Sequence, residues 1–287
     1  MEKFIGNRRR AFIPRSRKLA AELGIAEATL PFLQHLRQLA EGDFVSTERL
    51  RRRLCYASRE TWRAKLAELA GRGLVREEPT GWRLTPAGVS AVETVWANVY
   101  DQLRALPMPK DALRRTVEAL DSITRTASGD EYDRFTMIRR CAPRSNEDAV
   151  RVEQLMFETC VLLDDGHIHA WRAEGYRGPV LDVLTKVWYG AKTRQEVEKV
   201  LAFSQDAEHA DAHIKELVAR GDLTVDGDTV ALTPQGRATR DRIEEATDRD
   251  GLARWPTGDA LEALMRDVAT LVAALPPEDE LPNGPTH

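Results

Sequence analysis

The stretch GLVREEPTGWRLTPAG (Gly73 to Gly88) falls without a gap on GDLTVDGDTVALTPQG (Gly221 to Gly236) when the chain is slid against itself by 148 residues. The same shift pairs Leu33 with Leu181, Leu36 with Leu184, Leu66 with Ile214, Leu69 with Leu217 and Arg72 with Arg220. These are positions a helix buries, so one supersecondary unit occurs twice. Near the second helix the match needs a one-residue slip, Leu50 falling on Val197.

Each copy reads as helices followed by a hairpin. In the first, Leu30, Leu33, Leu36 and Leu39 recur at helical spacing and Gly42 ends the helix. Ser46 is the expected cap of a second helix carrying Leu50 and Leu54. Ser58 caps a third, with the stripe Trp62, Leu66 and Leu69, stopped by Gly71 and Gly73. Strands Leu74 to Glu77 and Trp82 to Thr85 flank Pro79, Thr80 and Gly81, the residues of a turn. A long helix from Gly88 to Leu106 follows. The predicted fold is mostly α with small β-hairpin wings: two winged helix-turn-helix modules joined by a helical connector.

The order helix, helix, helix, "RGLV", two strands, "LTPAG", long helix resembles the MarR-type winged helix-turn-helix regulators. It does so over residues 28–106 and again over 178–250. "DDGHIHAWRAEGYRGPVLDVLTKVW" and "LTPQGRATRDRIEEATDR" also resemble an uncharacterised actinobacterial helix-turn-helix family, which brings no activity with it. The MarR resemblance implies a DNA-binding transcriptional regulator with a dimerisation helix after the wing, and by analogy a small apolar effector and a homodimer. MarR-type chains carry one such unit and this chain has two, so their two-chain arrangement does not transfer unaltered.

The remaining organisation follows from composition. Residues 1–27 read as a basic amino-terminal arm, 28–106 as the first winged helix with its trailing helix, and 107–177 as the connector. Residues 178–275 read as the second winged helix with carboxy-terminal helices, and 276–287 as a disordered tail. Within the connector, helices are expected at Asp111 to Arg125 and Asn146 to Leu163, with a loop from Thr126 to Asp130. No apolar run approaches the ~18 to 20 residues that span a bilayer, and MEKFIGNRRR lacks a signal peptide's apolar segment, which predicts a soluble cytoplasmic protein. Cys55, Cys141 and Cys160 include no CxxC pair and are expected as ordinary buried thiols.

Charge separates the copies. Residues 1–80 hold 17 basic and 10 acidic side chains, so the first quarter is the part suited to a polyanion. The candidate DNA-binding residues are Ser58, Arg59, Thr61, Arg63 and Lys65 on the third helix, Arg51 and Arg52 on the second, and Arg76, Thr80 and Arg83 on the wing. Arg8, Arg9 and Arg10 of the arm join them, because outward donors read bases while flanking cations neutralise phosphates. Glu77 and Glu78 oppose a phosphate at the wing, and Trp62 belongs to the core stripe. Residues 191–250 hold 9 basic and 14 acidic groups, so the second copy reads as a protein-contact or ligand module.

Two other classes stay open: a winged-helix protein- or peptide-binding module without DNA, and an enzyme with a pocket lined by His167, His169 and Trp171. His167 with His169, and His209 with His213 four apart on one helix, have spacings zinc accepts. The Glu of HExxH is missing, and no G-x-S-x-G, GxGxxG or GxxxxGK[ST] occurs, so no cofactor and no metal is expected.

Overall fold

The computed structural model describes residues 1–127, 133–141, 144–202 and 204–281. It is mostly helical with two small antiparallel sheets. Two compact units emerge: Met1–Thr47 with Glu68–Leu163 and Ala253–His287, and Glu48–Ala67 with Asp164–Leu252.

In the first unit, α1 (Glu2–Leu23) leads to α2 (Leu30–Leu39) and β1 (Phe44–Ser46). Strands β2 (Val75–Glu78) and β3 (Gly81–Leu84) precede the long α5 (Pro86–Ala105). The sheet order is β1-β3-β2, with Val45 opposite Trp82 and Glu77 opposite Trp82 on its other edge. The strand β1 is additional to the expected hairpin and ends at Ser46, directly before the first residue of α3. Then come α6 (Lys110–Arg125), α7 (Asp133–Cys141), the start of α8 (Asp148–Ala173), and α13 (Asp259–Ala273). Helix α13 packs on α6, and α1 and α2 pack on α5. Phe4, Leu33, Leu36, Val92, Leu103, Leu120 and Phe135 are all buried.

The second unit contains α3 (Thr47–Arg53) from Glu48 onward, and most of α4 (Arg59–Gly71). With them stand α9 (Gly178–Trp188), α10 (Arg194–Leu201), α11 (Ala207–Ala219), β4 (Leu223–Asp226), β5 (Thr229–Leu232) and α12 (Pro234–Gly251). One apolar core runs through Trp171, Val180, Leu184, Val197, Ile214, Leu217, Val230 and Ile243, with Cys55 and Tyr56 packed against it.

The element bounds repeat at the 148-residue spacing: α4 and α11, β2 and β4, and β3 and β5 coincide at both ends, and α2 with α9 and α5 with α12 at their starts. The chemistry of the turn repeats too. Gly73 and Gly221 end their helices in the left-handed region, at φ 69° and 81°. The Thr85 hydroxyl donates to the Gly73 carbonyl at 2.6 Å and accepts from the Gly88 amide at 3.1 Å. Thr233 does the same to Gly221 at 2.6 Å and from Gly236 at 2.9 Å. A Cβ on Gly88 would lie 1.9 Å from the Leu74 carbonyl oxygen, and one on Gly236 2.1 Å from that of Asp222. The threonine, proline and glycine of "LTPxG" are thus a cap, a first-turn residue and a close approach of two backbones.

Several expectations are corrected. Residues 2–23, within the segment read as a basic arm, form a helix, in which Phe4, Ile5, Phe12, Ile13 and Leu19 supply a buried face. Helix α8 continues past Leu163 to Ala173, and α7 was not anticipated. Residues Glu278–Glu280 make a 3-10 turn and Leu281 is buried, so this part of the tail is structured, whereas 282–287 lie outside the described residues. The expected loop from Thr126 to Asp130 lies outside them from residue 128 onward. The three cysteines are free thiols and half-buried rather than buried. No helix among the described residues is long and apolar enough to cross a membrane.

Candidate nucleic-acid interface

Helix α4 starts at the cap Ser58, whose hydroxyl accepts from the Thr61 amide at 3.2 Å. Burying Trp62, Leu66 and Leu69 turns Arg59, Glu60, Arg63, Ala64 and Ala67 to solvent, while Thr61 and Lys65 lie half-buried at the margins. Trp62 is therefore core, at 4% exposure. Arg51 and Arg52 on α3 are exposed. Arg52 pairs with Glu48 one turn earlier at 2.5 Å, whereas Arg51, Arg59 and Arg63 have no ion pair among the described residues.

The wing is less basic than its composition suggests. Glu78 binds Arg83 at 2.7 Å and Arg76 at 3.0 Å. These hydrogen bonds, Arg83's first, hold its carboxyl down at about 2. Arg83 also lies 5.5 Å over the Phe44 ring. Thr80 is exposed at the tip, and its carbonyl accepts from the Thr47 amide at 3.0 Å.

The amino-terminal arginines Arg8, Arg9 and Arg10 lie on helix α1. Arg8 is 8% exposed and ion-paired with Glu153, and Arg10 donates to Asn7 at 2.7 Å. Burial, then the neighbouring Arg8, lowers the Arg9 guanidinium to about 10. Arg8, buried and paired, does not reach a phosphate, while Arg9 and Arg10 are half-buried. The arm reading counted charge and missed that its apolar residues recur at helical spacing.

In the second unit, α11 exposes the positions corresponding to those of α4: Ala207, Glu208, Ala212 and Lys215. Asp206 caps the helix through the His209 amide at 2.9 Å. Asp211 pairs with Lys215 at 2.7 Å and with Arg194. The histidines do not converge. The His167 Nδ1 meets the Thr247 hydroxyl at 3.0 Å, His169 is exposed, and His213 is buried against Gln205 at 2.7 Å. His209 lies between Asp206 at 2.7 Å and Glu60 at 3.3 Å, which raise its pKa, the Asp206 hydrogen bond most. Among the described residues no group of three or more His, Cys, Asp or Glu stands where it could hold a metal ion.

One arrangement was invisible in the sequence: the turn between α3 and α4 is seated within the second unit. The Ser58 amide donates to the Ser204 carbonyl at 2.8 Å. Tyr56 donates to Asp164 at 3.0 Å and accepts from the Trp171 indole at 3.2 Å. Gly178 passes so close to Cys55 that a Cβ there would lie 2.2 Å from the Cys55 carbonyl oxygen. Glycine at 178 was the available signal, but nothing local says which backbone it admits.

A helix-turn-helix family model matches residues 164–282, placing a helix-turn-helix in the carboxy-terminal half and suggesting a DNA-binding regulator in general. No curated protein and no solved structure matches the chain.

Proposed function

We propose that this chain is a MarR-like transcriptional regulator of two winged helix-turn-helix modules, in which the first reads DNA and the second does not. On this reading it is a binding protein, not an enzyme. The observation that carries it is the contrast between corresponding faces: α4 exposes Arg59 and Arg63 where α11 has Ala207 and an ion-paired Asp211. Two exposed guanidinium groups on the solvent side of a capped helix suit the phosphates flanking a major groove and the guanine edges within it, and the exposed Arg51 of α3 suits a further phosphate. Since α4 and α11 begin at touching turns, while half-sites one helical turn apart lie about 34 Å from each other, one chain offers one reading helix. The second half-site then falls to a second chain, which supports a homodimer on the operator.

The test is a pair of charge reversals in duplex-binding assays. Arg63→Glu is expected to weaken binding by at least tenfold and Lys215→Glu to leave it within error. Equal losses would show that both helices touch DNA. No binding by any form at low salt would favour the protein-recognition reading, for which the Glu78 pairing of the wing arginines already argues.

A further inference from the structure

The amino-terminal turn is the part of a reading helix that addresses base edges. In α4 that turn is not free. Ser58 is 6% exposed and its amide is taken by Ser204. The residues before it are fixed by Tyr56 between Asp164 and Trp171 and by the Cys55 carbonyl over Gly178. The surroundings are also wrong in sign for a phosphate. Glu60, Asp206, Glu208 and Asp211 all lie within the first two turns of α4 and α11, against Arg59, Arg63, His209, Arg194 and Lys215, of which the last three are already engaged with acids.

We propose that residues 164–252 serve as an intramolecular holder of the first reading helix: while Glu48–Ala67 is seated there, the chain has low DNA affinity, and binding requires the α3–α4 turn to leave the seat. This rests on the reading that α4 binds DNA. It gives the second, acidic copy a task that needs no nucleic acid of its own. It also accounts for the division of the chain, in which Arg51, Arg59 and Arg63 cluster with residues far away in sequence. Apparent affinity then scales with the fraction of chains unseated, so anything that stabilises the seat weakens binding in proportion.

The experiment locks and releases the seat in the full-length chain. Ser58→Cys with Ser204→Cys, in a background with Cys55, Cys141 and Cys160 replaced by Ser, forms a staple across the backbone hydrogen bond. The same protein after reduction controls for folding, monitored by thermal midpoint. A second variant, His209→Glu, sets a like charge against Glu60 and Asp206 to release the turn. On a mixed genomic duplex pool at low salt, the oxidised form is expected to bind at least tenfold more weakly than the reduced form, and His209→Glu more tightly than the unmodified chain. Equal binding by oxidised and reduced forms would overturn the holder while leaving DNA binding intact. Absence of binding by every form, the release variant included, would instead overturn the DNA reading and the holder with it.

Discussion

Replacing Thr85 or Thr233 with alanine removes the same two hydrogen bonds in two places. Each hydroxyl accepts from the amide three residues on, at 3.1 Å for Gly88 and 2.9 Å for Gly236, and donates at 2.6 Å to the carbonyl of Gly73 or Gly221. Loss of a threonine N-cap costs about 1 kcal/mol. The second bond adds about 1 kcal/mol at most, since the carbonyls at these half-exposed turns regain water. Each variant is therefore expected to lose about 1 to 2 kcal/mol, and Thr→Ser at the same position to recover most of it. Urea unfolding followed by circular dichroism and tryptophan fluorescence measures this, with Trp82 beside the first turn and Trp171 and Trp188 in the other unit. A loss below about 0.3 kcal/mol at either site, or serine behaving like alanine, would refute the cap assignment.

Removing Arg8 by Arg8→Ala leaves the half-buried Glu153 carboxylate without this partner, so a loss of about 2 kcal/mol in unfolding free energy is expected, against under about 1 for exposed Arg15→Ala; equal small losses would return residues 1–18 to the status of an arm. His213 is buried, and that burial, then the neighbouring Arg177 charge, holds its folded pKa below the ordinary ~6.5. Its contribution is complete above that pH and is lost as pH falls below it, so the difference in thermal midpoint between the unmodified chain and His213→Gln is expected to shrink from pH 7.5 to 5.5, and a widening difference would reverse the sign argument. Glu78→Gln frees Arg76 and Arg83, and is expected to steepen the salt dependence of DNA binding by about one counterion; an unchanged slope would place the wing away from phosphate.

What the sequence disclosed was local and periodic. "LTPxG" appears twice because a cap, a proline at the first helical position and a Cβ-free crossing are all needed within five residues, and the leucine stripes marked α2, α4, α9 and α11 directly. Strand β1 escaped because three residues carry no periodicity; Gly81, where a Cβ would lie 2.2 Å from the Val45 carbonyl oxygen, is its only trace. The charge clusters misled where burial decided the outcome. Seven cations in the first eighteen residues suggested a solvated arm, yet Phe4, Ile5, Phe12 and Ile13 place α1 in a core and draw Arg8 inside with Glu153. The seat of the α3–α4 turn is a contact between residues more than a hundred positions apart, and no periodicity encodes such a pairing.

The central claim is that α4 meets the phosphate backbone and the bases of duplex DNA. Its most direct test is the slope of log K against log salt for the full chain on duplex DNA. With Arg8 buried, Arg9 half-buried and Arg52 paired, Arg51, Arg59 and Arg63 remain to neutralise about three phosphates, which gives a slope of about −3 by counterion release. Arg63→Glu is expected to flatten that slope by about one. No retention of either the full chain or its His209→Glu variant at about 50 mM salt, or a slope that Arg63→Glu leaves unchanged, would contradict DNA binding through this helix.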